Sequence, residues 1–188
     1  LMDMAAFVAT HRRHEADLTV AVKPVPRSEA SALGVMRIDE DGRIIEFVEK
    51  PKDPAVIDSL ALDAATIERL GLDAKPGMVL ASMGIYTFRT VFLEEVLGHT
   101  EHVDFGREII PDAIKSGRVQ AFVENGYWRD IGSIASFHEA NLELTAAVPA
   151  LNLYDPDHPS YTRPRFLPGG KINCATIERS IPSDGSLV

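Results

Sequence analysis

The sequence contains a single cysteine, Cys174, among its 188 residues. One thiol excludes a disulfide framework and a metal cage built from thiolates, and it favours a reducing compartment. No apolar run approaches membrane-spanning length, and no signal-peptide pattern is present at the start of the sequence. We therefore expect a cytoplasmic protein that has no membrane partner.

Basic residues are also scarce: 19 Lys and Arg against 28 Asp and Glu leave a net charge of -9. No Lys/Arg cluster runs along the chain, which argues against a nucleic-acid partner. The acidic total does not exclude an anionic substrate, because a few correctly placed cations decide local binding.

Common phosphate-binding and nucleophile motifs are absent, namely the Walker loop, G-x-G-x-x-G and G-x-S-x-G. If the protein binds phosphate, the backbone cradle lies outside these motifs. The histidines form no metal-binding pattern either. His11 and His14 lie three apart on a predicted helix with no third ligand at a usable spacing, so we interpret them as surface residues.

Strand and helix patterns alternate along the first 145 residues. Apolar and β-branched runs predict strands at 18–22, 34–38, 43–48, 79–88 and 119–123. Capping and amphipathic patterns predict helices at 3–14, 64–70, 90–98, 105–115 (interrupted at Pro111) and 133–145, with Asp3, Thr90 and Ser133 as caps. This alternation indicates an α/β fold with a mixed or parallel sheet. Asp41-Gly42 predicts a hairpin, and residues 53–77 are interpreted as a polar excursion from the core.

The composition changes after residue 145. Five of the twelve prolines fall within 146–170, which we interpret as a linker. From Lys171 onward, isoleucine and leucine recur at steps of four to six, at Ile172, Ile177, Ile181 and Leu187. This spacing indicates the first coil of a β-solenoid, which would need more coils than the sequence contains.

Glu49 and Lys50 lie in F-V-E-K-P at the end of a predicted strand. Neighbours in a regular strand point to opposite faces, but a twist before Pro51 would bring both toward one cleft. Lysine offers donors to a phosphate and glutamate accepts hydroxyls, which suits a sugar phosphate. The alternative is an exposed ion pair, which the two residues taken alone favour.

Two further segments carry candidate site residues. Ser82 and Tyr86 share one face of the longest strand, beside Gly84. This placement indicates either tight packing, which these residues alone favour, or a bound ligand.

In G-Y-W-R-D-I-G, an extended backbone would place Trp128 and Asp130 on one face, where they suit a metal held near a sugar. The alternative for Asp130 is a helix cap or a salt bridge, but Ser133 is the more natural cap.

Taken together, these segments resemble the bacterial type of ADP-glucose pyrophosphorylase, or glucose-1-phosphate adenylyltransferase. The matching segments are L-G-V-M-R-I-D at 33–39, I-I-E-F-V-E-K-P at 44–51, A-S-M-G-I-Y-T-F at 81–88, D-F-G-R-E-I-I-P at 104–111, G-Y-W-R-D-I-G-S at 126–133 and E-A-N-L-E-L-T at 139–145. F-V-E-K-P fits several nucleotide-sugar pyrophosphorylases, whereas the D-F-G and Y-W-R-D-I-G segments are more specific to the ADP-glucose branch.

The resemblance implies that residues 1–145 are the sugar-phosphate-binding part of a Rossmann-like nucleotidyltransferase domain. Residues 171–188 would then begin a left-handed β-helix. It further implies an allosteric, homotetrameric enzyme of glycogen biosynthesis that uses Mg²⁺ to convert ATP and glucose 1-phosphate to ADP-glucose and pyrophosphate. The implied site residues are Asp130 as magnesium ligand, Lys50 on the substrate phosphate, Glu49 and Ser82 on sugar hydroxyls, and Gly34, Tyr86 and Trp128 lining the sugar pocket.

Two elements of the family pattern are missing from the sequence. The glycine-rich nucleotide loop G-G-x-G-T-R-L is absent, and so is a second metal-binding aspartate expected upstream of L-M-D-M. We therefore expect an upstream segment to be missing and the chain alone to be inactive. Two alternatives stay open: a non-catalytic regulatory subunit of the same enzyme, and a sister-branch nucleotidyltransferase that uses another nucleotide such as dTTP.

Overall fold

The computed structural model describes residues 2–98, 104–157, 159–161 and 166–188. It divides into two compact units, residues 2–126 and residues 127–188, which are treated separately below. Parts of the predicted linker, at 158 and 162–165, lie outside the described residues.

The first unit is a five-stranded sheet with helices. The strands are β1 Leu18–Val25, β2 Gly34–Ile38, β3 Ile44–Glu49, β4 Val79–Phe88 and β5 Val119–Val123. Their order is β3-β2-β4-β1-β5, and β1 and β5 are parallel whereas the other neighbours are antiparallel. The α-helices of this unit are α1 Met4–Arg13, α2 Pro54–Ser59, α3 Ala64–Leu70, α4 Thr90–Leu97 and α5 Ile110–Ser116, with a 3-10 helix at Arg27–Ala32 and a π-helical turn at Phe105–Ile109. The mixed sheet covered by helices is confirmed.

The hydrophobic core forms two clusters. Strand β1 is apolar along most of its length, and Leu18, Val20 and Val22 belong to the larger cluster. The smaller cluster contains Val35 and Val79 together with residues of the α2 region. The interpretation of 53–77 as an excursion is wrong, because Leu60, Leu62 and Leu72 are buried in these two clusters. These leucines stand in short apolar stretches of a segment that is polar on average, so the composition of the segment did not reveal their burial.

The predicted hairpin between β2 and β3 is confirmed. Asp39 Oδ1 accepts hydrogen bonds from the backbone N–H of Asp41 (3.0 Å) and of Arg43 (2.9 Å). Gly42 has φ +75°, which is accessible to glycine at little steric cost. The turn sets the register that pairs Gly34 with Glu49 at the far end of the hairpin.

Helix ends agree with the sequence in part. Asp3 and Ser133 are caps as predicted, since their side chains accept from the N–H of Ala6 and Ser136. Thr90 is not a cap, because Arg89 occupies that position and Thr90 begins α4. Pro111 does not break the helical run: it stands in the first turn of α5, which follows the π-helical turn Phe105–Ile109 directly, so this part of the chain changes helix type without a gap.

His11 is only partly at the surface, because its side chain is half-buried. Its ring Nδ1 lies 2.8 Å from Oγ1 of Thr19, which is fully buried. Burial lowers the pKa of His11, and the nearby Asp17 carboxylate opposes that shift. This histidine is therefore a partner of a core threonine.

The second unit contains one α-helix, α6 Ile134–Leu144, among its described residues. Near the end of the second unit, Lys171 forms a parallel bridge with Leu187. The Lys171 N–H donates to Ser186 O (2.8 Å), and the Val188 N–H donates to Lys171 O (2.9 Å). The left-handed β-helix stays a prediction. Within the described residues of both units, no helix has the length and apolar character needed to cross a membrane.

Candidate functional site

Three predicted site residues lie side by side across β3, β2 and β4. Glu49 ends β3 and pairs with Gly34, the first residue of β2. Val35 pairs with Ala81 of β4, so the antiparallel register places Ser82 next to Gly34 on the other side. One end of the sheet therefore presents a carboxylate, a glycine and a hydroxyl on three adjacent strands.

The Glu49 carboxylate lies against two glycine backbones. A Cβ at Gly34 would meet the Phe47 ring first and would be 2.8 Å from Glu49 Oε2, and a Cβ at Gly106 would be 2.5 Å from the same oxygen. The Glu49 side chain is only 20% exposed. The two glycines therefore form a slot that a larger residue would fill, and this slot fixes the direction of the carboxylate.

Lys50 has a left-handed backbone, with φ +48°. Its N–H donates to Leu33 O (3.0 Å), and its ammonium group lies 3.6 Å from Glu49 Oε1. A left-handed residue breaks the alternation of the strand, which is how two successive side chains come within reach of each other. For a residue other than glycine this conformation costs about 1–2 kcal/mol. The Lys50 side chain remains half exposed.

Ser82 and Tyr86 are linked through an irregularity in β4. Ser82 pairs with Val22 and Tyr86 with Val20, so the intervening β4 residues bulge, with Gly84 at φ +71°. Ser82 Oγ accepts the N–H of Gly84 (3.2 Å) and lies 3.4 Å from the Tyr86 hydroxyl. The bulge thus keeps both hydroxyls on one side of the strand.

Tyr86 belongs to a small aromatic cluster with Phe105 and Phe88. Its ring stacks on Phe105 with centroids 5.7 Å apart and planes 8° apart, and Phe88 meets Phe105 edge-on. Burial raises the pKa of Tyr86, the carboxylates of Glu49 and Asp104 raise it further, and the contact with Ser82 opposes them. The phenol therefore stays neutral and can donate a hydrogen bond.

The D-F-G segment had no assigned role, yet it places Phe105 on Tyr86 and Gly106 on Glu49. Asp104 caps the π-helical turn through a bond from Arg107 N–H (2.8 Å), and Glu108 Oε2 accepts the N–H of Asp104 (2.9 Å). The signal in the sequence that could have pointed to these contacts was the D-F-G segment, which is more specific to the ADP-glucose branch than F-V-E-K-P. A contact between residues 49 and 106 could not be deduced from spacing.

With the sugar-phosphate substrate that the sequence resemblance implies, the slot predicts that Gly106→Ala raises the KM for that substrate by about tenfold, because the new methyl group displaces the Glu49 carboxylate. Gly169→Ala is the matched control, since a Cβ there meets no atom within 4 Å. Steady-state kinetics on both variants, in the full natural length of the protein, measures the effect. An unchanged KM in Gly106→Ala would show that the Glu49 position is irrelevant to binding.

The second unit carries Trp128 and Asp130 in a segment that is not part of a strand. Trp128 is half-buried, and Asp130 is exposed with its Oδ1 accepting the N–H of Gly132 (3.2 Å). Among the described residues, no three His, Cys, Asp or Glu side chains are grouped to hold a metal ion. Mg²⁺ is often bound by one or two carboxylates together with substrate phosphates. Asp130 fits as one such ligand.

A separate cleft in the first unit is lined by cations that the protein itself engages. Arg89 pairs with Asp17 (2.7 Å), Arg43 donates to Gly117 O (3.1 Å), and Arg118 donates to His14 O (2.9 Å). Because these guanidinium groups hold neighbouring loops together, we assign the cleft no ligand.

A family model described as nucleotidyl transferase matches residues 1–147. The chain belongs to the nucleotidyl transferase family. Nucleotidyl transferases in general take a nucleoside triphosphate and a sugar phosphate, and they use a divalent metal ion such as Mg²⁺. The matched residues include all seven predicted site residues, Gly34, Glu49, Lys50, Ser82, Tyr86, Trp128 and Asp130. The structure gathers the first five of them around one end of the sheet.

Proposed function

We propose that the chain is the sugar-phosphate-binding part of a glucose-1-phosphate adenylyltransferase, the enzyme that makes ADP-glucose for glycogen biosynthesis. The supporting observation is the Glu49–Lys50 pair, held by a glycine slot and a left-handed backbone beside Ser82 and Tyr86. A surface ion pair of no function would need neither device. The cytoplasmic location, the homotetramer and the allosteric control implied by the family resemblance belong to the same proposal.

Each predicted site residue of the first unit has a proposed role in substrate binding. The Lys50 ammonium binds the phosphate of glucose 1-phosphate, and the Glu49 carboxylate accepts sugar hydroxyls. Ser82 and the neutral Tyr86 phenol exchange hydrogen bonds with the sugar. Gly34, whose Cβ position is taken up by Phe47 and Glu49, would line the sugar pocket through its backbone.

The proposed reaction is in-line transfer of a nucleotidyl group. A phosphate oxygen of glucose 1-phosphate attacks the α-phosphorus of ATP, forming a new P–O bond while the bond to pyrophosphate breaks. Lys50 orients the attacking phosphate and offsets its charge, which is the contribution expected of positioning and electrostatics in such transfers. By the family resemblance, Trp128 would line the sugar pocket. Asp130 would hold Mg²⁺, which when bound neutralises charge on the phosphates.

The substrate assignment is tested by a panel of nucleoside triphosphates with glucose 1-phosphate and Mg²⁺, using the full natural length of the protein that carries this chain. We expect ATP to give the highest kcat/KM, measured by release of pyrophosphate. A preference for dTTP or UTP would instead support the alternative of a sister-branch nucleotidyltransferase that uses another nucleotide. Binding of glucose 1-phosphate without turnover would favour the regulatory-subunit alternative.

A further inference from the structure

Two side chains of the Y-W-R-D segment bind the same face of α6. Tyr127 OH donates to Glu143 Oε2 (2.7 Å), one Arg129 nitrogen lies 3.0 Å from Glu143 Oε1, and the other lies 2.6 Å from Glu139 Oε2. Glu139 and Glu143 are four residues apart, so they lie one above the other on the helix. The segment is thus attached at Tyr127 and at Arg129.

The attachment depends on the shape of the guanidinium group. Arginine presents its N–H groups as a planar fork, and here the two terminal nitrogens reach two different carboxylates. A lysine offers a single point of charge and cannot hold both acids in the same geometry. Glu143 in turn connects both attachment points, because its two oxygens accept from Tyr127 and from Arg129.

The stability gained from these contacts is small. The Arg129 side chain is 38% exposed and its two partners are 60% and 39% exposed, and ion pairs in such positions contribute little to folding. Their main effect is geometric: they fix the backbone on either side of Trp128 and immediately before Asp130.

We propose that Arg129, Glu139 and Glu143 are positioning residues that hold Trp128 and Asp130 in place. The inference deepens the proposed function, on which the roles of Trp128 and Asp130 rest. It also assigns a role to Glu139 and Glu143, the two glutamates of E-A-N-L-E-L-T, for which the sequence analysis proposed none.

The first test uses the fluorescence of Trp128, the single tryptophan of the chain. Arg129→Lys is expected to raise the acrylamide quenching constant by about twofold, because a half-buried ring that loses its support opens to solvent. Arg37→Lys is the matched control, since Arg37 forms a similar 2.6 Å pair with Glu46 in the other unit. Unchanged quenching in Arg129→Lys would overturn the inference, whatever the substrate.

The second test is kinetic and uses the full natural length of the protein. Arg129→Lys is expected to lower kcat by roughly tenfold, as for groups that orient a metal ligand, with a smaller change in the KM for glucose 1-phosphate. The kcat of Glu143→Gln should lie between those of wild type and Arg129→Lys, since the amide oxygen of glutamine still accepts a hydrogen bond from Tyr127.

Inactive wild type would contradict the proposed function and leave the fluorescence result standing. Equal loss of thermal stability in both variants would instead assign these residues to folding and overturn the inference.

Discussion

Under the proposed function, replacing Asp130 by asparagine is expected to lower ADP-glucose formation by about a thousandfold or more. The loss should exceed the roughly 10- to 100-fold that follows removal of a group that only supports a metal ligand. The reason is electrostatic, because asparagine keeps the shape of aspartate and loses the charge that a hard cation prefers. The half-saturating Mg²⁺ concentration should rise as well.

This variant should fold normally. Asp130 is exposed, and its bond from Gly132 N–H can be accepted equally by an asparagine oxygen. Asp184→Asn is the matched control, since it removes another exposed carboxylate from the same unit. Circular dichroism and pyrophosphate release should be measured on both variants in the full natural length of the protein. Normal turnover in Asp130→Asn would remove this residue from catalysis.

Lys50 gives the second large effect. Lys50→Ala should raise the KM for glucose 1-phosphate by about 10- to 100-fold, the range expected when a hydrogen bond to a charged group is lost. The KM for ATP should change much less. Lys52→Ala is the control, because Lys52 is an exposed cation of the same loop that donates to Ser31 O. Equal KM values in the two alanine variants would argue against a phosphate contact at Lys50.

The left-handed backbone of Lys50 adds a comparison between two substitutions. Lys50→Gly and Lys50→Ala both remove the ammonium group, but glycine adopts φ +48° without the penalty that alanine bears. Lys50→Gly should therefore be about 1 kcal/mol more stable to denaturant than Lys50→Ala, with binding equally weak. If the two variants were equally stable, the strain at Lys50 would have no measurable cost.

Local patterns predicted much of the fold. The Asp41-Gly42 turn and the long apolar run of β4 were evident because both signals lie within a few residues. The end of β1 was predicted too early, since Pro24 lies in the strand. This proline is tolerated because the pairing of β1 with β5 reaches only Val22, so no β5 partner needs the missing N–H.

The candidate site was predictable as a set of residues and not as an arrangement. The pairing of Glu49 with Gly34 follows from the hairpin, which the sequence indicated. The contact of Glu49 with Gly106 joins distant parts of the chain and depends on tertiary packing. The left-handed conformation of Lys50 was equally hidden, because lysine has no preference for it.

Binding of glucose 1-phosphate at the end of the sheet is the central claim, and amide NMR shifts test it directly without ATP. Titration of the ¹⁵N-labelled protein with glucose 1-phosphate should move the signals of Gly34, Lys50, Ser82 and Gly106 in a saturable way. Lys50→Ala should weaken those shifts. Saturable shifts confined to the cleft of Arg43 and Arg118, with none at the four sheet-end amides, would contradict the account.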